Sequence, residues 1–104
     1  MNGYIIKATY LTGPHKGSFY FLQKGGYVAS NPDDQWSDDC YKTENICKSI
    51  CRKMEANNKI EHDLENKQRI YQAQKGQTVT KFAIYELMKY EPYFVKTVHQ
   101  SNVF

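Results

Sequence analysis

The chain has 104 residues, 40% apolar, 24% charged and 14% aromatic, with a formal net charge of +3. This length predicts a single domain over residues 1–104 that buries roughly 65% of its unfolded surface without help from a metal or disulfide. The balance excludes a disordered chain, and no run approaches the ~18 apolar residues of a membrane span. The opening "MNGYIIKATYL" lacks the basic and then long apolar pattern of a secretory signal, so a cytoplasmic protein without a membrane partner is expected. Cys40, Cys47 and Cys51 cannot all pair within one chain, and reduced thiols fit that compartment.

Residues 4–11, "YIIKATYL", alternate with Tyr4, Ile6, Ala8 and Tyr10 on one side, which predicts a strand covered on one face and partly on the other. "TGPHKG" reads as a loop, "SFYFLQ" as an aromatic strand, and "KGG" as a tight turn into a short third strand at "YVAS". The acidic stretch "NPDDQWSDDC" follows as a loop. In "TENICKSICRKM", Ile46, Cys47, Ile50, Cys51 and Met54 form one helical stripe, with Thr43 as N-cap and Glu44 in the first turn. "ANN" at 56–58 reads as a break before a second, polar helix over "KIEHDLENKQRIYQAQKG", which either packs or projects. "TVTKFAIYELMKY" predicts the longest strand, "EP" a turn, "YFVKTV" a fifth strand, and "HQSNVF" a frayed tail. The order β-β-β-α-(α)-β-(β) predicts an α+β fold: an antiparallel β-meander sheet with one or two helices packed on one face.

Chemistry-bearing patterns are few. The three cysteines and His62 are zinc-type ligands, but their spacing has no CxxC pair, and Cys47 and Cys51 lie on the packing stripe. "DDQWSDDCYKTE" ends in the Glu of a calcium loop yet lacks its central glycine and alternate acids. No metal or cofactor is expected. Nucleophile-elbow, Walker, dinucleotide and H-E-x-x-H patterns are all missing, and His15, His62 and His99 have no reason to converge, so a non-enzymatic protein is expected.

Two binding readings remain. Sheet aromatics and a body bearing Lys7, Lys16, Lys24, Lys48, Arg52, Lys53 and Lys81 suit nucleic acid, although only two arginines occur and no RRM signature is present. Alternatively, Trp36 lies among Asp33, Asp34, Asp38 and Asp39, with Tyr41 just beyond, which has the anchor-and-rim character of a protein interface. The four acids carry no neighbouring base, so the rest of the chain sums to about +7. The bland alternative folds Trp36 over a sheet edge and leaves the acids solvated.

"GYIIKATY", "SFYFLQKGGYV", the Cys- and Lys-bearing helix and "KFAIYELMKY" together resemble small accessory proteins of bacterial viruses, over about residues 4–54 and 79–90. The resemblance implies an anti-defence inhibitor of the anti-CRISPR kind, which binds a host nuclease or nucleoprotein complex and blocks its nucleic-acid site. It assigns no individual residue, and the mildly basic charge departs from the strongly acidic inhibitors that mimic DNA. The expectation is a binding protein in the host cytoplasm. Asp33, Asp34, Trp36, Asp38, Asp39 and Tyr41 would dock on a basic surface, and Lys48, Arg52 and Lys53 on acidic protein or bound RNA. A nucleic-acid-binding module and a protein that self-associates through an edge strand are the alternatives.

Overall fold

The clean alternation of residues 4–10 builds the central strand of the protein, buried from both sides. A computed structural model describes residues 2–76 and 86–100, with 68–74 described by backbone alone. Along the chain run β1 (Tyr4–Tyr10), β2 (Phe19–Leu22), β3 (Asp34–Trp36), a 3-10 turn (Ser37–Asp39), α1 (Glu44–Gln74), β4 (Met88–Phe94) and β5 (Thr97–His99). β1 pairs antiparallel with β2 and β4, giving the order β2-β1-β4, while β3 and β5 form a separate parallel pair. The fold is α+β. Among the described residues no helix is long and apolar enough to cross a membrane.

The two faces of β1 build two cores. Ile6 and Ala8 meet Leu22, Met88 and the helix residues Cys47 and Cys51, ringed by Tyr4, Tyr10, Tyr20 and Tyr90. Ile5 points the other way, to Ala29, Cys40 and Val95, with Phe21, Tyr93 and Val98 packed around them. The helix covers the first face, and the β3–β5 pair covers part of the second. All three cysteines are buried and free, as the stripe predicts for Cys47 and Cys51. The Cys47 thiol donates to the Ile5 carbonyl at 3.5 Å. Ile46 is the exception on that stripe, half exposed at its outer margin.

Three expectations for the chain before β4 need correction. "YVAS" is not a full strand: it makes the single bridge Leu22↔Val28, buries only Ala29 and leaves Tyr27 and Val28 exposed. The third strand is instead "DQW", inside the expected acidic loop, because Thr97–His99 supplies a partner from far along the chain. The helix does not break at 56–58. It starts at the expected cap, with the Ile46 amide donating to Thr43 Oγ1 at 3.2 Å, and runs on to Gln74.

Asn58 explains the continuity. Its Nδ2 donates to the Glu86 carbonyl at 2.8 Å, and its Oδ1 accepts from the Met88 amide at 2.9 Å. A helix-weakening residue is thus held by tertiary contact, which outweighs a propensity cost of about 0.5 kcal/mol. Beyond it, Ile60 and Leu64 are exposed, so the second half of α1 projects from the sheet.

The strand expected at 78–90 is described only at its end, since residues 77–85 lie outside the described residues. Its last part continues as β4 straight through "EP", where a turn was expected. The physical reason lies in the edge. In an antiparallel ladder alternate residues point their amides away from the partner. On β4 these are Met88, which donates to Asn58, Tyr90, which donates to Glu55 Oε1 at 2.8 Å, and Pro92, which has no N–H to satisfy. On the opposite edge, residues 27–29 cover β2 through Gln23 N–H to the Tyr27 carbonyl and Ala29 N–H to the Phe21 carbonyl. Both outer edges are therefore largely occupied.

Asn58→Ala is expected to cost about 2 kcal/mol in denaturant unfolding, because it strands a strand amide and a carbonyl, whereas exposed Asn57→Ala should stay within about 0.5 kcal/mol. Burial pushes the Cys47 thiol from 9.0 up to about 12, with Cys51 and Glu44 adding to it. Burial likewise pushes the Tyr90 phenol from 10.0 up to about 12, with Tyr20 and Glu61 next in effect. Both groups keep their protons longer in the folded state, so their stabilisation is complete below pH 9.0 and is lost as pH rises towards about 12. Unfolding free energies measured from pH 7 to 11.5 should be flat with respect to these groups at first and fall over that window.

Candidate functional site

The acidic stretch is ordered by its buried glutamine rather than by its aspartates. Gln35, only 5% exposed, accepts from Gln23 Nε2 at 2.7 Å and donates its own amide to the Asn31 carbonyl. Strand alternation then turns Asp34 and Trp36 outward. Beside them runs β5, in register Asp34↔Thr97, Gln35↔Val98 and Trp36↔His99. The His99 ring lies 5.3 Å from the Trp36 ring at 47°, and its Nε2 contacts the Asp34 carboxylate. Trp36 is nevertheless 56% exposed. It is a large apolar side chain held out to solvent on a paired strand.

The four aspartates divide into two kinds. Asp33 is half-buried: its carboxylate accepts from the Tyr93 hydroxyl at 2.5 Å, and its carbonyl accepts from the Thr97 amide at 2.9 Å. That bond to Asp33 holds the Tyr93 phenol above its ordinary range. Asp39 is also half-buried, and its carbonyl accepts from the Lys24 amide at 2.9 Å. Its charge adds to burial in raising the Cys40 thiol. Asp34 and Asp38 are exposed. The acids are therefore neither four free steering charges nor simply solvated: Asp33 and Asp39 fasten the loop, Asp34 meets His99, and Asp34 and Asp38 are the two that are exposed.

A cleft of about 470 Å³ opens next to this platform, lined by Asn2, Ser37, Asp38, Tyr41, Lys42 and Gln100 among others. Tyr41 reaches it from the side, yet its main role is structural. Its backbone exchanges hydrogen bonds with Tyr4 at 2.8 and 2.9 Å, and its ring packs against the helix-side core. Burial, with Cys47 and Cys51 next, raises its phenol.

Lys48, Arg52 and Lys53 are exposed on α1, with Lys48 3.6 Å from Glu44. The helix and the β3–β5 pair lie against opposite faces of β1, so these basic residues and Trp36 belong to different layers and do not form one surface. For nucleic acid, most sheet tyrosines are spent in the helix-side core. Phe19 is exposed on the open face, with the Lys7 ammonium 4.4 Å from its ring centre; Lys81 lies outside the described residues. Cys40 sits in the opposite core from Cys47 and Cys51, and among the described residues no group of three or more His, Cys, Asp or Glu is placed to hold a metal.

Sequence reasoning missed Gln35, Tyr93 and His99. The alternation of "DQW" is too short to read as a strand, and its partner Thr97–His99 joins the end of the expected fifth strand "YFVKTV" to the first residue of the expected tail. Gln35→Ala should destabilise the protein by about 2 kcal/mol, leaving Gln23 and the Asn31 carbonyl unpaired. The same change should loosen Trp36, read as increased acrylamide quenching of its emission relative to the wild-type protein. Compared with family models, curated proteins and solved structures, the chain matches none.

Proposed function

We propose that this protein is a non-enzymatic binding protein that docks through the Trp36 platform onto a basic protein surface. One observation carries the reading: Trp36 remains 56% exposed although strand pairing, Gln35 and His99 fix its position. A rigid, half-exposed tryptophan loses little conformational freedom on binding and can supply hot-spot energy. Asp34 and Asp38 beside it favour a positively charged partner and speed its approach. The adjoining cleft gives the partner a concavity to fill.

A basic surface that accepts an aromatic anchor flanked by acids is the kind of surface that holds nucleic acid. Together with the resemblance to viral anti-defence proteins, this favours a host nuclease or nucleoprotein complex as the target, in the host cytoplasm. Tyr41, Asp33 and Asp39 serve this surface by fastening it. Lys48, Arg52 and Lys53 lie on another layer and form a separate contact, if the partner is large enough to wrap the sheet.

Affinity capture from lysate with the tagged chain, with and without nuclease treatment, identifies the target class. A specific protein retained after nuclease supports docking, whereas loss of all capture favours nucleic-acid binding through Phe19 and Lys7. Against the captured protein, Trp36→Ala should weaken binding by at least about 2 kcal/mol while circular dichroism stays unchanged. Unaltered affinity in that folded variant would remove the platform from the interface.

A further inference from the structure

A second cleft, of about 510 Å³, lies on the opposite, helix-covered side of the sheet. Its floor and walls come from α1, from the outer ends of β1 and β2, and from the approach to β4. Tyr10, Tyr20 and Tyr90 supply aromatic rings, and Glu61 and Glu86 supply carboxylates. His15 stands beside Tyr10, with ring centres 5.5 Å apart. Among the described lining residues there is no lysine or arginine.

Glu86 is the decisive group. Its Oε2 is buried without a hydrogen-bond partner among the described residues. The rest of its carboxylate lies so close to Gly13 that a Cβ there would fall 2.4 Å from Oε1. The chain thus keeps a glycine, at φ +82°, where any side chain would strike the Glu86 carboxylate. Its backbone is fixed too, since the Glu86 carbonyl accepts from Asn58. A carboxylate oxygen held in this way lacks the donor that would offset its desolvation.

We propose that this cleft binds an organic cation, an ammonium or guanidinium head that donates to Glu86 and packs against the tyrosine rings. Each alternative ligand class fails on the same residues. An anion would meet two carboxylates with no lysine or arginine among the described lining residues to oppose them. A neutral apolar group would leave Glu86 without a donor. A cation gains both the carboxylate contact and the negative faces of the rings. At the Tyr90 phenol, raised first by burial and then by Tyr20, Glu61, Tyr10 and Glu55, the two carboxylates act in the direction that a cation would relieve. The site is distinct from the Trp36 platform and does not rest on it.

The head group has two sources, a diffusible polyamine or a lysine or arginine side chain of a partner protein, and titration separates them. The full chain is titrated with spermidine, with N-acetyl-arginine amide, and with glutarate as an anionic control, following side-chain amide resonances of Asn57 and Asn58 by NMR. Saturable shifts are expected with the cations and none with glutarate. Tighter binding of spermidine points to the diffusible source, and tighter binding of the arginine amide to a partner's side chain. Glu86→Gln and Glu61→Gln should each weaken the preferred cation about tenfold, the scale of one charged hydrogen bond. Trp36→Ala should leave it unchanged. Glu61 is exposed, so its variant keeps the test valid even if Glu86→Gln disturbs the fold. No saturable shift with either cation, or undiminished affinity in both glutamate variants, would overturn the proposal.

Discussion

The outer edge of β4 is where the architecture is decided. A sheet edge presents amides that must find partners, and here helix side chains provide them. Asn58 takes the Met88 amide and Glu55 takes the Tyr90 amide, while Pro92 has none to offer. The same contacts that seal the edge fix where the helix crosses the sheet, and they hold it helical through two consecutive asparagines. The burial of Cys47, Cys51 and Met54 against Ile6 and Ala8 follows from that placement. So does the cleft beside it, whose walls are the helix just past the clamp and the chain just before β4.

Much of this was legible in the residues. The alternation of Tyr4, Ile6 and Ala8 against Ile5 is a local property of seven residues; it predicts a strand covered on one face and partly on the other, and the structure buries Ile5 as fully as Ile6. The Cys47–Ile50–Cys51–Met54 stripe and the Thr43 cap are equally local. What escaped are features set by distant partners. Asn57 and Asn58 look alike in sequence, yet only one meets a strand edge some thirty positions later. "EP" has the composition of a turn, and becomes mid-strand because an outward edge position suits proline. "DQW" is too short to declare a strand, and the expected fifth strand "YFVKTV" is divided between the end of β4 and the start of β5, whose partner across the chain is "DQW".

The candidate surface shows the same division. Exposure of Trp36 could be suspected from its acidic surroundings, but not the reason that it stays exposed. The hydrogen bonds of Gln35 and the Asp33–Tyr93 bond consume the loop's conformational freedom while Trp36 stays exposed. The basic residues of the helix read as neighbours of that loop because they follow it in the chain. The sheet separates them.

Pairing of β3 with β5 also orders events in time. Residues 34–36 acquire their strand partner only from 97–99, and β1 acquires β4 across a longer separation still, whereas the β1–β2 pair and the helix form from nearer neighbours. Loop-closure entropy delays such long-range contacts. The lone tryptophan therefore sits on a long-range contact, and its emission reports that closure rather than formation of the helix.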